Sequence, residues 1–347
     1  MSAVNGYNEI DVQAGRPHHN RRQSWWALVW RQFRRNRLAL VGLALMLVLF
    51  FVAIMAPFLA GERPIYVKMQ GRAYWFPNLK TYPELRNFEF ANWHPAPGEY
   101  ILRAPVPHAP ERSNLRERLA PPSRTHLLGT DDRGRDVLSR MIWGTRISMS
   151  VGFVAVGIAI VIGIVVGSLA GFYGGLVDLV IQRIIEVVMC FPTFILILSL
   201  IAFLPPSIYN IMVVIGLVAW TDSARLLRGE FLRLRESDFA IAARASGLTD
   251  RRIIFRHLLP NGMSPVLVSA TFGIASAILT ESALSFLGFG VPPPTPSWGE
   301  LLSQSQRYLD SAWWLVMFPG LAIFLTVTAF NLVGEGLRDA MDPRLRQ

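Results

Sequence analysis

Residues 147–177 read ISMSVGFVAVGIAIVIGIVVGSLAGFYGGLV, a run without one charged side chain. About 20 apolar residues in a helix cross the hydrocarbon core of a bilayer, and a helix satisfies its own backbone hydrogen bonds there. This run is long enough. Its glycines do not argue against a helix. Gly163, Gly167 and Gly171 recur at every fourth position, which puts them on one face, where small residues let a second helix come close.

Five further runs also lack charge, at 38–61, 187–221, 257–280, 282–299 and 311–334. Of the 347 residues, 52% are hydrophobic and 17% charged, against about 25% charged in soluble domains. Water is therefore not the solvent for most of the chain. A single soluble globule, a fibrous protein and a disordered tail are excluded. The expected fold class is an all-α polytopic membrane protein. Its six spans fall near 38–59, 147–171, 177–204, 207–221, 264–287 and 312–334. Pro192 predicts a kink in the third span, and Pro205-Pro206 ends it. Residues 171–175 predict a tight turn between the second and third.

The start of the chain does not read as a cleavable leader. The apolar stretch 38–59 exceeds the roughly 7–15 residues of a signal core, and no small-residue cleavage pattern follows. Residues 1–37 divide into a polar tail, 1–23, and an aromatic and basic segment. In that segment Trp26, Trp30 and Phe33 share helical spacing, as expected of a helix lying at the membrane surface with its aromatics among the headgroups. Residues 60–146 form a long polar segment with no run that can cross. Within it, 66–69 and 72–76 around Gln70-Gly71 predict a hairpin. Seven prolines between 94 and 122 predict extended chain.

The net charge is +10, almost all from arginine, since Lys68 and Lys80 are the only lysines. Nucleic acid is one reading of such a balance. The membrane reading is better, because basic residues flank spans on the cytoplasmic side. With both termini inside, the inner parts carry seven Arg before the first span, eight in 222–262 and three in the tail. The two short outer loops hold only Arg307. Long segments such as 60–146 escape the rule. Cys190, the single cysteine, allows neither an intrachain disulfide nor a cysteine metal site.

Catalytic signatures are missing. Neither lysine follows a glycine, so there is no phosphate-binding Gly-Lys-Ser/Thr loop. The six histidines show no i, i+4 pair, so no metal site is expected, and His18-His19 sits in the polar tail. No Gly-x-Ser-x-Gly elbow occurs. The chain reads as a carrier. Arg183 and Glu186 are neighbours on one helix face and expected to pair. Glu281, with Ser282 and Ser285, lies near the outer end of the fifth span. It either lines a solute pathway or is a partnered structural carboxylate.

The cytoplasmic loop 222–262 is the most informative segment. Residues 238–247, from Asp238 through Ala242, Ala243, Arg244 and Ala245 to Gly247, predict a short helix with a glycine stop. Leu248, Thr249 and Asp250 make a turn. Residues 251–259, beginning Arg251-Arg252, predict a second helix, apolar on one side and basic on the other, broken by Pro260-Asn261. Ser264-Pro265 suits the start of the fifth span. A compact helix–turn–helix is thus joined to a membrane helix, with small residues at the turn where another protein can approach.

That loop resembles the coupling loop of ABC-importer permeases. The match lies in Ala242-Ala243-Arg244-Ala245-Ser246-Gly247 and Ile253-Ile254-Phe255-Arg256-His257-Leu258-Leu259-Pro260-Asn261; Ile241 stands where the motif usually has glutamate. A second stretch, from Leu128-Gly129-Thr130-Asp131-Asp132-Arg133-Gly134-Arg135-Asp136 through Arg140 to Ser148, is similar to the segment before the second span in C-type permeases of dipeptide, oligopeptide and nickel importers. A third, Glu281 to Gly290 and on through Pro296-Ser297-Trp298-Gly299, matches the same subunits. Together they cover 24–59 and 124–343. The insert, with Arg63-Pro64, Gly71, Tyr74 and Phe76-Pro77, resembles a peptide-permease subgroup with a long outer segment.

The resemblance implies the six-helix type I importer permease fold, with core 147–343 and an irregular insert outside. It implies a bacterial inner-membrane subunit for di- or oligopeptides, or alternatively for nickel or another small solute. The partners implied are a second, B-type permease, two ATP-binding subunits and an extracytoplasmic solute-binding protein, with lipid around them and no nucleic acid. ATP and Mg are used by the partner subunits, and no cofactor is held by this chain. Coupling is carried to Ala242, Ala243, Arg244, Ala245, Gly247, Leu248, Arg252 and Pro260. A structural role before the second span is carried to Gly129, Thr130, Asp131, Gly134, Arg135 and Asp136. A self-sufficient channel or secondary carrier is the rival, but midplane charges and inverted repeats are not evident.

Overall fold

The computed structural model describes residues 25–86, 88–90, 93 and 95–342. The polar tail with His18-His19, His94 and the last two arginines lie outside the described residues. The helices are α1 Trp25–Phe33, α2 Arg37–Leu59, α3 Val137–Tyr173, α4 Gly175–Met189, α5 Thr193–Ala202, α6 Ile208–Leu234, α7 Asp238–Ala245, α8 Asp250–Arg252, α9 Leu259–Gly262, α10 Ser264–Phe286, α11 Trp298–Ser305 and α12 Trp314–Met341. Five of them, α2, α3, α6, α10 and α12, are long and apolar enough to cross a bilayer. The pair α4 and α5 makes a sixth crossing if taken as one span, but it is bent by 79°. The kink expected at Pro192 is therefore a break. Pro192 has no N–H to continue the ladder, and it opens α5 instead.

Three other boundaries move. The second span begins at Val137, not 147, because Asp136 caps it: its carboxylate accepts from Ser139 N at 2.7 Å. The fourth continues to Leu234, past Asp222. Its charged extension is helical because Arg228 is held by Asp178 of α4, at 2.5 and 2.7 Å. Pro260 does not break the loop helix. Ile253–Leu258 is a π-turn, in which Leu259 N reaches back to Ile254 O, and this wider turn accommodates the proline ring.

The glycine face of α3 packs along α6. A Cβ on Gly163, Gly167 or Gly171 would lie 2.5 Å from Ser223 Cβ, Ala224 O or Phe231 Cβ, so only glycine permits this approach. The central core joins α3, α5, α6, α10 and α12 through Val151, Ala155, Ile197, Ile215, Ile278 and Phe330. The helix α2 lies on α12 and keeps Leu38, Val41, Leu47, Phe51 and Ile54 exposed, as suits a lipid-facing surface. In α1 the expected headgroup face is only partly realised. Trp30 is exposed, but Phe33 is buried against α12, beside Ala39 and Gly336.

The insert is more regular than expected. Strands β1 Tyr66–Met69, β2 Arg72–Trp75 and β3 Tyr100–Leu102 form an antiparallel sheet in the order β2-β1-β3. The predicted hairpin is present, with Gln70 and Gly71 both at positive φ, 50° and 75°, the signature of a type I′ turn. Val67, Leu85 and Phe90 make a small core beneath it. The insert is tied to the first span by Asn78 Nδ2 donating to Pro57 O at 2.9 Å, and Trp143 of α3 holds the end of that span by donating from Nε1 to Ala60 O at 2.9 Å.

Candidate functional site

The loop between α6 and α10 packs as one unit. The end of α7 is closed by two backbone bonds, Gly247 N to Arg244 O at 2.9 Å and Leu248 N to Ala243 O at 3.3 Å. This is the Schellman arrangement, which needs a left-handed residue at Gly247, and Gly247 has φ +73°. Ala240 and Ala243 face inward. They join Phe172 of α3, Leu227, Phe231 and Leu234 of α6, Ile253, Ile254 and Leu258 of the π-turn, and Val266 of α10 in one apolar cluster. Arg244 stacks over the Phe172 ring at 5.0 Å, and Arg235 Nη1 donates to Gly171 O at 3.4 Å. Ala242, Ala245, Arg252 and Pro260 face outward, beside exposed Phe239, Ile241 and Phe255. Thr249, Arg251, Arg252 and Phe255 line a shallow groove there. The outer surface of the loop is thus apolar and basic, while its inner surface is welded to three membrane helices.

A cavity of about 260 Å³ opens between α3, α5, α6 and α10, lined by small side chains and hydroxyls that include Thr193, Ser223, Ser269, Ser276 and Thr280, with the carboxylate of Asp222. Sequence reading left Asp222 in the loop because it ended the fourth span at residue 221, whereas α6 runs on to Leu234. Glu281, Ser282 and Ser285 do not line this cavity. Glu281 is fully buried, and its Oε1 accepts from Ser285 at 2.8 Å and from Ser297 at 2.9 Å. Ser282 donates to Ile278 O at 2.9 Å. Glu281 is thus held as a partnered carboxylate, away from the lining of this cavity. Arg183 and Glu186 do pair, at 2.6 Å on an exposed face.

At the opposite end of α3, the motif before the helix builds a buried charge hub. Gly129 and Gly134 have φ of +77° and +69°, which turns the chain back on itself. Trp314 Nε1 donates to Thr130 O at 3.0 Å. Asp131 accepts from Arg133 N and Arg135 N at 2.9 Å and binds Arg135 Nε at 2.7 Å. Arg140, fully buried, lies 3.5 Å from Asp131 and forms an ion pair with Glu300 of α11. Burial pushes the Glu300 carboxyl above the ordinary carboxylate value, and the Arg140 guanidinium opposes that shift. Sequence reading placed Arg140 in the motif but did not anticipate its pairing with Glu300, which is far along the chain and carries no local signal. The same region brings His108 and His126 beside Asp136, a grouping that the histidine spacing did not anticipate.

Comparison with known proteins gives consistent matches. Residues 159–347 match the family described as binding-protein-dependent transport system inner membrane component, and residues 24–77 match the N-terminal TM domain of oligopeptide transport permease C. The chain is 37% identical to the dipeptide transport system permease protein DppC of Alkalihalophilus pseudofirmus, over 92% of this chain and 90% of that one. It is 40% identical to DppC of Escherichia coli, over 92% and 93%, and 40% identical to a putative peptide transport system permease protein of Brucella suis, over 68% and 80%. A solved structure of the MetNI methionine ABC transporter in an inward-facing conformation is 18% identical with a TM-score of 0.49, over 59% of this chain and 98% of that one.

Proposed function

We propose, for a chain that belongs to the binding-protein-dependent transport inner-membrane component family, that it forms half of the translocation path of a di- or oligopeptide importer. The substrate class follows the printed names of relatives that align over nine-tenths of both chains. A second, B-type permease supplies the other half of the path. Two ATPase subunits dock on the exposed side of α7 and the groove at Arg251, Arg252 and Phe255, and they use the ATP and Mg. A solute-binding protein delivers peptide from outside, with the insert as part of its docking surface. Both termini are cytoplasmic, in a bacterial inner membrane.

The observation that carries this reading is the apolar cluster beneath the loop. A push on α7 reaches Phe172, Phe231 and Val266 together, and so moves α3, α6 and α10, three of the four helices around the cavity. Alternating access needs packed elements with two arrangements, and a loop welded to these helices biases them as a unit. Asp222 and the hydroxyls of the cavity suit a polar, zwitterionic cargo.

The test is dipeptide uptake by cells carrying Gly247→Pro. Proline cannot adopt φ +73°, and it lacks the N–H given to Arg244. Uptake is expected to fall to background while the chain still inserts and copurifies with the second permease. Normal uptake by a well-expressed variant would contradict the assignment of the loop. Gentle extraction followed by mass spectrometry checks the partners. A chain recovered alone, or only with copies of itself, would favour a channel or carrier.

A further inference from the structure

The turn ahead of α3 gathers ligand-type side chains that are remote in sequence. His108, His126 and Asp136 each offer one ligand atom within 4.8 Å of the others. His126 and Asp136 are buried, and His108 is half-buried at the rim of a cavity of about 310 Å³. The two imidazoles lie close together, with centroids 4.6 Å apart and planes inclined by 33°. His126 is held at both ring nitrogens: Nδ1 is 2.8 Å from Asp136 Oδ2, and Nε2 is 3.3 Å from Glu117 Oε2.

A neutral imidazole carries one N–H. It serves one of these carboxylates, and the other nitrogen then turns its lone pair on a carboxylate oxygen. With Nε2–H given to Glu117, the Nδ1 lone pair of His126 faces Asp136 Oδ2, and a ligand atom of His108 lies within 4.8 Å of both, so that a cation can be shared among the three. A ligating histidine whose second nitrogen is held by a carboxylate is a common support for a bound metal. The cavity also has arginines on its wall, but Arg112 is paired with Glu62 at 2.9 Å and Arg103 donates to Trp93 O at 2.9 Å.

We propose that His108, His126 and Asp136 form a site for a borderline divalent cation of the zinc type, with Glu117 positioning His126. Two imidazoles and a carboxylate suit such an ion, whereas calcium and magnesium favour all-oxygen shells. Asp136 holds two roles at once, because its other oxygen caps α3 at Ser139. A bound ion therefore fastens the His108 segment and the His126 turn to the N-cap of that helix.

The experiment uses the full chain in its purified complex, with a tag free of histidine and with His18 and His19 replaced by Gln throughout. After EDTA treatment and buffer exchange, ZnCl2 is titrated by calorimetry, and bound metal is counted by mass spectrometry. One zinc per chain is expected, at least tenfold weaker binding in His108→Gln and in His126→Gln, and no displacement by excess MgCl2. Zinc is also expected to raise the melting temperature of the parent and not of His108→Gln, whose half-exposed ring makes misfolding a poor explanation. No binding by the parent, or equal affinity in parent and His108→Gln, overturns the site. Dipeptide uptake by the parent is read separately, so this result does not bear on the transport assignment.

Discussion

Leu258→Ala tests whether the coupling loop moves as part of the membrane core. Leu258 is fully buried in the cluster that holds α7 to α3, α6 and α10. Truncation of a buried leucine to alanine costs about 2–5 kcal/mol, from lost transfer energy and the cavity left behind. Each 1.4 kcal/mol is about tenfold in an equilibrium, so the undocked loop gains about 30-fold to several thousand-fold in population. Hydrogen–deuterium exchange of residues 240–258 in the assembled complex reads this directly. Their protection is expected to fall by at least tenfold while that of 150–165 is unchanged. Dipeptide uptake is expected to fall in parallel, with ATPase activity continuing uncoupled from it. Unchanged protection together with normal uptake would refute the idea that this cluster transmits force.

Other consequences follow from the same packing. Gly167→Leu puts a side chain on Ala224 O, 2.5 Å from the new Cβ, and is expected to lower stability by about 3 kcal/mol or more through overpacking, read as a lower melting temperature in detergent. Arg140→Met strands Glu300 as a buried, unpaired carboxylate, at a cost of about 3–5 kcal/mol. The double variant Arg140→Met, Glu300→Leu is expected to recover most of that loss, and equal melting points for single and double variants would argue against the ion pair. Gly134→Ala combines φ +69° with a clash at Asn114 O and is expected to cost more than about 1 kcal/mol, seen as lower yield of folded protein. Arg244→Leu removes the stacking on Phe172, worth about 0.5–2 kcal/mol, and is expected to raise exchange at α7 by a few-fold at most.

Hydropathy made the spans legible because the bilayer demands long apolar runs whatever the tertiary packing. The glycine face of α3 was legible for the same reason, since helical spacing alone places Gly163, Gly167 and Gly171 together. The ends of the helices were not. Charge at Arg140 and Asp222 looked like solvated loop, yet Arg140 is buried against Glu300 and Asp222 lies within α6. No local rule announces a partner that the fold brings from far along the chain. Glu281 shows the same limit. Its position in the fifth span was readable, but its burial depends on Ser297, which reaches it from the loop before α11. The short helix and glycine stop at 238–247 could be read residue by residue, while the cluster beneath them required knowing where Phe172 and Phe231 lie.

The helix α3 runs unbroken for 37 residues. At 1.5 Å per residue that is about 55 Å, well beyond the roughly 30 Å of hydrocarbon. One end is clamped in the charge hub at Asp136 and Arg140, and the other carries Phe172 under the coupling loop. Such an element is a connecting rod. A tilt of about 10° around its middle displaces each end by about 5 Å, in opposite directions. Loop and hub are then mechanically geared to each other, so that a displacement imposed at one end of the rod is felt at the other.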